Sequence, residues 1–362
     1  MKKYTAIGLM SGSSLDGLDL VYADFWKDET WFFSIKKSAA IPLKKWIDIL
    51  QNLRNISPVL LQEKSTEFGQ FTAEKVTQFI QSNQIDDINL IASHGHTIFH
   101  FPEKGITCQI GDGQTIANHT RLKTISNLRQ RDIDLGGSGA PIVPIGDLNL
   151  FSEYTFCLNI GGIANSSIKC KDKIIAFDHC AANQVLNHYA LQKGAAYDDN
   201  GKWASNGKVN NDLLNDLNEV TFYKKSYPKS LDNGFSSEII QIIEKYKLSI
   251  EDKLATYCAH IGKQIAKDYA LVAEQENINS TDKKLLITGG GAYHTFLVGQ
   301  IKKHTKLNVI IPSNEIIEYK EALVMAFMGV LHSRNEINCL HSVTGAKQDS
   351  ICGELFHPKS EK

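Results

Sequence analysis

The sequence predicts an α/β protein built from two similar domains, and two observations carry that reading. Three strand-like segments with a glycine turn between the first two occur near residue 4 and again near residue 155. Glycine clusters also stand at strand ends, at Gly12, at Gly161-Gly162 and at Gly289-Gly290-Gly291. Ligands bind beyond strand ends in open α/β sheets. Three such clusters fit one nucleotide held between two domains, with two turns gripping phosphates and the third beneath the adenosine. A chain of 362 residues is long enough for two domains.

Residues 4–9, 18–25 and 31–35 are rich in aromatic and branched side chains with short connections, which predicts three antiparallel strands. Between the first two, residues 8–19 hold Ser11, Gly12, Ser13, Ser14, Asp16 and Gly17. Glycine permits a tight turn and serine adds hydroxyls, so this is either a phosphate-binding hairpin or a solvated β-turn. Asp16 could hold a metal ion beside a bound anion. Residues 43–53 and 58–80 have helical spacing. A strand at 89–93 runs into His94-Gly95-His96-Thr97, and another at 106–110 runs into Gly111-Asp112-Gly113. The histidines lack a complete metal-ligand set, so ligand hydrogen bonding or packing suits them better. Asp112 reads as a turn tip that binds Mg²⁺ through water or orients substrate, or is simply solvated.

Residues 121–144 are irregular, charged and glycine-rich, and the domain boundary or hinge is expected there. Arg129 is a natural partner for a substrate carboxylate, or one half of a surface ion pair. The strand pattern returns at 155–159, 166–170 and 173–177, the last ending in Asp178. Asp178 fits a general base at a strand end, and equally an N-cap for the helix expected at 183–191. Further helices are expected at 210–217, 237–246, 250–274, 293–303 and 319–332, and strands at 284–288 and 308–312. Glu321 would open its helix, where the dipole favours negative charge. The tail from 343 to 362 has little periodicity.

The charge balance excludes some classes. With 39 basic and 40 acidic residues the formal net charge is −1, so no nucleic-acid or anionic-membrane partner is expected. The seven cysteines form no C-x-x-C pair, which argues against a zinc site or disulfide framework. No apolar run is long enough to span a bilayer, and a cytoplasmic protein is expected.

Taken together, the motifs resemble the anhydro-N-acetylmuramic acid kinases of the sugar kinase, Hsp70 and actin group. Residues 8–19 resemble G-x-M-S-G-T-S-x-D-G-x-D, and His94-Gly95-His96-Thr97 with His100 and Pro102 resembles H-G-Q-T-x-x-H-x-P. Gln109-Ile110-Gly111-Asp112-Gly113 matches Q-I-G-D-G, residues 136–144 resemble G-G-Q-G-A-P-L-V-P, and residues 159–165 resemble N-L-G-G-I-A-N. Gly289-Gly290-Gly291-Ala292, Lys320-Glu321-Ala322 and Thr344-Gly345-Ala346 match G-G-G-A, K-E-A and T-G-A. Phe177-Asp178 with Asn183 keeps the frame of F-D-T-G-P-G-N.

The resemblance implies two ribonuclease-H-like domains around a nucleotide cleft, residues 1–128 joined by 340–362 and residues 129–339. It implies ATP and Mg²⁺ as cofactors, and hydrolytic opening of an anhydro amino sugar coupled to phosphorylation at O6, in cell-wall recycling. Asp178 would be the base. Gly8, Ser11, Gly12, Ser13, Asp16, Gly161, Gly162, Gly289, Gly290 and Gly291 would bind ATP, with Asp16 near the metal, directly or through water. His94, His96, Thr97, Asp112, Arg129, Asn183 and Glu321 would bind sugar. A homodimer is also implied.

The chain departs from the pattern at His179-Cys180-Ala181-Ala182, where Thr-Gly-Pro-Gly is usual, and a cysteine adopts positive φ only at a cost. It departs again at Asn127 and at residues 231–234. These changes leave open a kinase for another amino sugar, or a nucleotide- or sugar-binding sensor.

Overall fold

The computed structural model describes residues 2–359 apart from 13, 14, 16, 54, 55, 233 and 280–282. Two compact units divide the chain, Met1–Ser152 with Tyr319–Lys362, and Glu153–Glu318.

The first unit holds a mixed sheet. Its strands are β1 (Lys3–Ser11), β2 (Leu18–Lys27), β3 (Trp31–Ile41), β4 (Leu90–Phe101), β5 (Ile106–Ile110), β6 (Thr124–Ser126) and β12 (Glu354–Phe356). Their order is β12-β6-β4-β1-β2-β3, with β5 paired to β4. β1 is antiparallel to β2 and parallel to β4, and β4 is parallel to β6. The middle of β1 is buried without alternation, as expected of a strand covered on both faces. Helix Pro58–Ser82, capped by the Ser57 side chain on the Leu60 N–H with proline at its start, lines one core with Phe68, Val76 and Phe79. Helix Asn314–Ser333 brings Phe327 against Phe25 and Trp31, at ring-centroid distances of 5.6 and 5.1 Å.

The second unit repeats the plan. Its strands are β7 (Phe156–Ile160), β8 (Ile163–Lys169), β9 (Ile174–Ala181), β10 (Lys284–Thr288) and β11 (Asn308–Ile310), in the order β11-β10-β7-β8-β9. Again the first three are antiparallel in sequence, while the later two run parallel to the first. This shared order is the ribonuclease-H-like arrangement. The core gathers Phe156, Leu158, Ile287, Tyr257 and Ile261 around helix Ile250–Gln275, which is capped by Ser249 on the Asp252 N–H.

Several expectations need correction. Residues 129–144 are not the junction between the compact units. Ser138 donates from its backbone and side chain to the Thr344 carbonyl, and Thr344 Oγ1 donates to Asp132 Oδ1 at 2.7 Å. That stitches the glycine-rich segment to the C-terminal tail inside the first unit. The chain passes between units at residues 152/153 and 318/319, the second time within a helix. Residues 124–126 and 354–356, read as irregular, form an antiparallel strand pair. β4 continues through the histidine motif to Phe101 instead of ending at 93. Among the described residues no helix is long and apolar enough to cross a membrane.

Candidate active site

In the second unit, hydrogen-bond register sets out a polar row across the sheet. Thr288 on β10 pairs with Asn159 on β7, Asn159 with Asn165 on β8, and Asn165 with Asp178 on β9. Asn159, Asn165 and Asp178 are half-buried. Beyond the ends of β7 and β10 lie Gly161-Gly162 and Gly289-Gly290-Gly291. Gly289 has φ +79°, and a Cβ there would meet Asn159 Oδ1 at 2.6 Å, so only glycine fits. A Cβ on Gly290 would meet nothing closer than Asn183 Nδ2 at 3.7 Å, and one on Gly161 nothing closer than Asn159 Nδ2 at 3.6 Å. These two glycines therefore border open ground where a ligand can approach backbone. Asn183 ties the turn down, donating from Nδ2 to the Ile160 carbonyl at 3.2 Å and from its backbone to the Gly161 carbonyl at 3.1 Å.

Asp178 is not a helix cap. It lies inside β9, and helix Asn183–Gln192 begins after Ala182. Its Oδ2 accepts from the Leu231 N–H at 2.9 Å and from Ser230 Oγ at 3.2 Å, while its own N–H donates to the Lys229 carbonyl at 2.9 Å. Oδ1 has no hydrogen bond among the described residues. Burial raises the carboxyl above the ordinary aspartate range, and the Leu231 and Ser230 bonds and the neighbouring His179 pull it back part of the way. A fixed carboxylate with one free, basic oxygen is suited to take a proton. The left-handed backbone suspected at Cys180 is not needed, because β9 runs on through Ala181 and Cys180 has no positive φ.

The first unit presents different chemistry. Ser11 at the end of β1 is registered with His96 on β4, and Ser11 Oγ lies 3.0 Å from His96 Nδ1. His94 has a defined tautomer: Nε2 accepts from Arg129 Nε at 2.8 Å, so the proton is on Nδ1, 3.0 Å from the Gly95 carbonyl. Burial, then the Arg129 charge, pushes the His94 pKa down to about 3, and burial brings His96 to about 4. Both rings are neutral near pH 7. Arg129 also donates from Nη1 to the Gly139 carbonyl at 3.2 Å. Burial lowers its pKa to about 10, against the Glu321 charge, and it stays cationic.

Thr97 Oγ1 lies 3.4 Å from Gln109 Nε2. Asp112 caps helix Gly113–Thr120, its Oδ2 accepting from Thr115 N and Oγ1 at 2.7 and 2.6 Å. It also borders a cavity of about 230 Å³ lined by Gln62, Ser65, Gln109 and Phe356.

Two site expectations do not fit. Gly8 lies within β1 and not at the turn, and a Cβ there would meet the Ala322 carbonyl oxygen at 1.9 Å. Its place is explained by a helix packed on the strand and not by a phosphate. Glu321 does not open its helix, which starts seven residues earlier at Asn314, so the dipole does not account for it. Its side chain reaches solvent, yet the protein around it is dense enough to raise its carboxyl, with Lys320 and Arg129 opposing. Ser13 and Asp16 lie outside the described residues; Gly12 is described, its carbonyl accepting from the Leu15 N–H at 3.2 Å.

Sequence reasoning passed over Asn159 and Asn165. The six-residue spacing N-x-G-G-x-x-N on a two-strand turn was the available signal, since it makes the two asparagines cross-strand partners. It also passed over Ser230 and Leu231, whose contact with Asp178 spans more than fifty positions and left no local signal.

A family model described as anhydro-N-acetylmuramic acid kinase matches residues 4–358. The anhydro-N-acetylmuramic acid kinase of Clostridioides difficile (strain 630) is 32% identical, the match covering 97% of this chain and 97% of that one. Its namesake in Aliivibrio fischeri (strain ATCC 700601 / ES114) is 32% identical over 98% and 99%. Among solved structures, component A of the (R)-2-hydroxyglutaryl-CoA dehydratase of Acidaminococcus fermentans aligns at 13% identity over 89% of this chain and 96% of its own, with a TM-score of 0.45.

Proposed function

This chain belongs to the anhydro-N-acetylmuramic acid kinase family, and on that premise we propose how its residues carry out the family's reaction. The substrate is 1,6-anhydro-N-acetylmuramic acid, the phosphoryl donor is ATP, and the product is N-acetylmuramate 6-phosphate, formed in peptidoglycan recycling. The bridged sugar has no free hydroxyl at O6, so the base must act on water. Asp178 takes a proton from water as the water oxygen bonds to C1. The C1–O6 bond breaks, O6 takes the γ-phosphoryl group, and ADP leaves.

The observation that carries this reading is the state of Asp178, with one oxygen clamped, the other free, and basicity raised by burial. Gly161, Gly162, Gly289, Gly290 and Gly291 would supply backbone for ATP, and Asn183 would hold their turn in place. Ser11, Gly12 and Ser13 would take the β- and γ-phosphates. His94, His96, Thr97, Arg129 and Glu321 would recognise the sugar, the Arg129 cation suiting its lactyl carboxylate.

Among the described residues no group of three or more His, Cys, Asp or Glu gathers to hold a metal. Mg²⁺ would thus come with the nucleotide phosphates, whose charge it would offset, and Asp16 is the residue assigned to it. A cytoplasmic homodimer completes the reading. The binding-only alternative has no support at Asp178, where strand and clamp are intact.

Incubation with ATP, Mg²⁺ and 1,6-anhydro-N-acetylmuramic acid, followed by mass spectrometry, should yield the 6-phosphate and ADP. Folded protein that gives neither product would overturn the reading.

A further inference from the structure

Behind Asp178 lies a buried network that the proposed reaction does not use. His179 is fully buried, its Nδ1 2.8 Å from Asp268 Oδ2 and its Nε2 2.8 Å from Ser166 Oγ. Asp268 Oδ1 accepts from Lys229 Nζ at 2.8 Å, with side chains only 2% and 5% exposed. Ser166 Oγ lies 2.6 Å from the Tyr269 hydroxyl.

A relay of donors is one arrangement that satisfies all of these bonds. Tyr269 donates to Ser166, Ser166 to His179 Nε2, His179 Nδ1–H to Asp268, and Lys229 to the other oxygen of Asp268. Lys229 and Asp268 then form a buried ion pair. Burial pushes the Asp268 carboxyl up, but the His179 and Lys229 contacts outweigh it and hold the carboxyl below the ordinary range.

A buried ion pair is a weak source of stability, because desolvation offsets its attraction. Its geometry has a clearer use. Lys229 is gripped at both ends, its carbonyl by the Asp178 N–H and its ammonium by Asp268. β9 is bulged at His179, so alternation alone does not fix its face; its ring sits against Ser166 Oγ and Phe177, a cross-strand pair one residue from Asn165 and Asp178 and so on the other face of the sheet. Asp178 and His179 therefore hold the segment 229–231 from opposite faces of β9, one directly and one through Asp268.

We infer that His179 and Asp268 are positioning residues: through Lys229 they keep Ser230 and Leu231 on Oδ2 of Asp178, so that Oδ1 faces the reacting water. The inference rests on Asp178 being the base. The ionisable groups of and around this network are Asp178, Lys229, Tyr269, Tyr223, Cys157 and Cys180.

The test compares steady-state kinetics of His179→Ala, Asp268→Asn, His179→Asn, His179→Gln and Asp178→Asn. His179→Ala and Asp268→Asn should lower kcat roughly 10- to 100-fold, with KM for both substrates within about two-fold. The acid limb of the kcat–pH profile should move to higher pH, because Asp178 loses hydrogen bonds that favour its ionised form. His179→Asn restores a donor at the Nδ1 position and should recover kcat to within about three-fold of wild type, whereas His179→Gln should not. A folded His179→Ala with wild-type kcat and an unmoved acid limb would overturn the inference. So would recovery by Gln but not Asn, which would mark a packing role. If His179→Ala does not fold, the near-isosteric Asp268→Asn decides by the same readouts. An inactive Asp178→Asn beside active His179→Ala and Asp268→Asn would defeat only this inference. An active Asp178→Asn would defeat the base assignment and this inference with it.

Discussion

The two sheets share one strand order but carry opposite chemistry. In the first unit, β1 and β4 present Ser11 and two neutral imidazoles, and Arg129, just before helix Gln130–Asp134, adds a cation against His94. In the second, β7, β8 and β9 present two amides and a carboxylate in register. The difference concerns where positive charge is allowed. Arg129 directs Nε and Nη1 at His94 and Gly139, which fixes its guanidinium plane. Lys229, whose carbonyl accepts from the Asp178 N–H, turns its ammonium onto Asp268. A cation on the open oxygen of Asp178 would stabilise the ionised form and weaken the base. Under the proposed assignment, a cation beside one sheet serves binding while the cation beside the other is diverted from the base.

The largest expected effect separates these roles. Asp178→Asn should lower kcat roughly 10²- to 10⁴-fold while calorimetric ATP affinity stays near wild type. Arg129→Lys should lower kcat/KM for the sugar roughly 10- to 100-fold, mostly through KM, because lysine lacks the planar fork. If Asp178→Asn raises KM and spares kcat, or Arg129→Lys does the reverse, the division of labour between the sheets is wrong.

pH should distinguish the sheets more gently. The raised Asp178 carboxyl places the acid limb of kcat above the ordinary aspartate range, with turnover falling as pH falls through it. In the first unit the signature is stability. His94 and His96 have folded pKa values of about 3 and 4, below the unfolded value near 6.5. Between those limits the unfolded chain binds more protons, so their contribution is present above pH 6.5 and is lost as pH falls towards 4. Melting temperatures from pH 7 to pH 5 should therefore drop, and drop less in His94→Asn. An equal slope in the two proteins would remove His94 from that account.

Much of the architecture was legible because its signals are local. Strand triples and helical spacing sit within short windows, as do the caps that the structure adds at Ser57 and Ser249. The first-unit strands β6 and β12 were missed because each has three residues and pairs with a segment far along the chain. The site was legible as a set of motifs, but roles within it depend on contacts that sequence does not encode locally. Asp178 and Asp112 make the point. Sequence left the cap open to Asp178 and a bare turn, a metal role or a substrate role to Asp112; the structure puts Asp178 inside a strand and gives the cap to Asp112. Gly8 sat in a phosphate-like motif, yet its missing side chain serves Ala322 and Ala326.

Asp112 supplies the smallest effect and the closest discrimination. Its Oδ2 is committed to Thr115, and the same residue borders the 230 Å³ cavity. Asparagine caps helices about as well as aspartate, whereas alanine forfeits roughly 1 kcal/mol. If the carboxylate acts as a cap, Asp112→Asn should keep both melting temperature and sugar KM near wild type. Asp112→Ala should then lose stability with KM still little changed. A sugar KM that rises several-fold in a fully stable Asp112→Asn would instead put Oδ1 in contact with the sugar, and with it a carboxylate in the binding chemistry of the first unit.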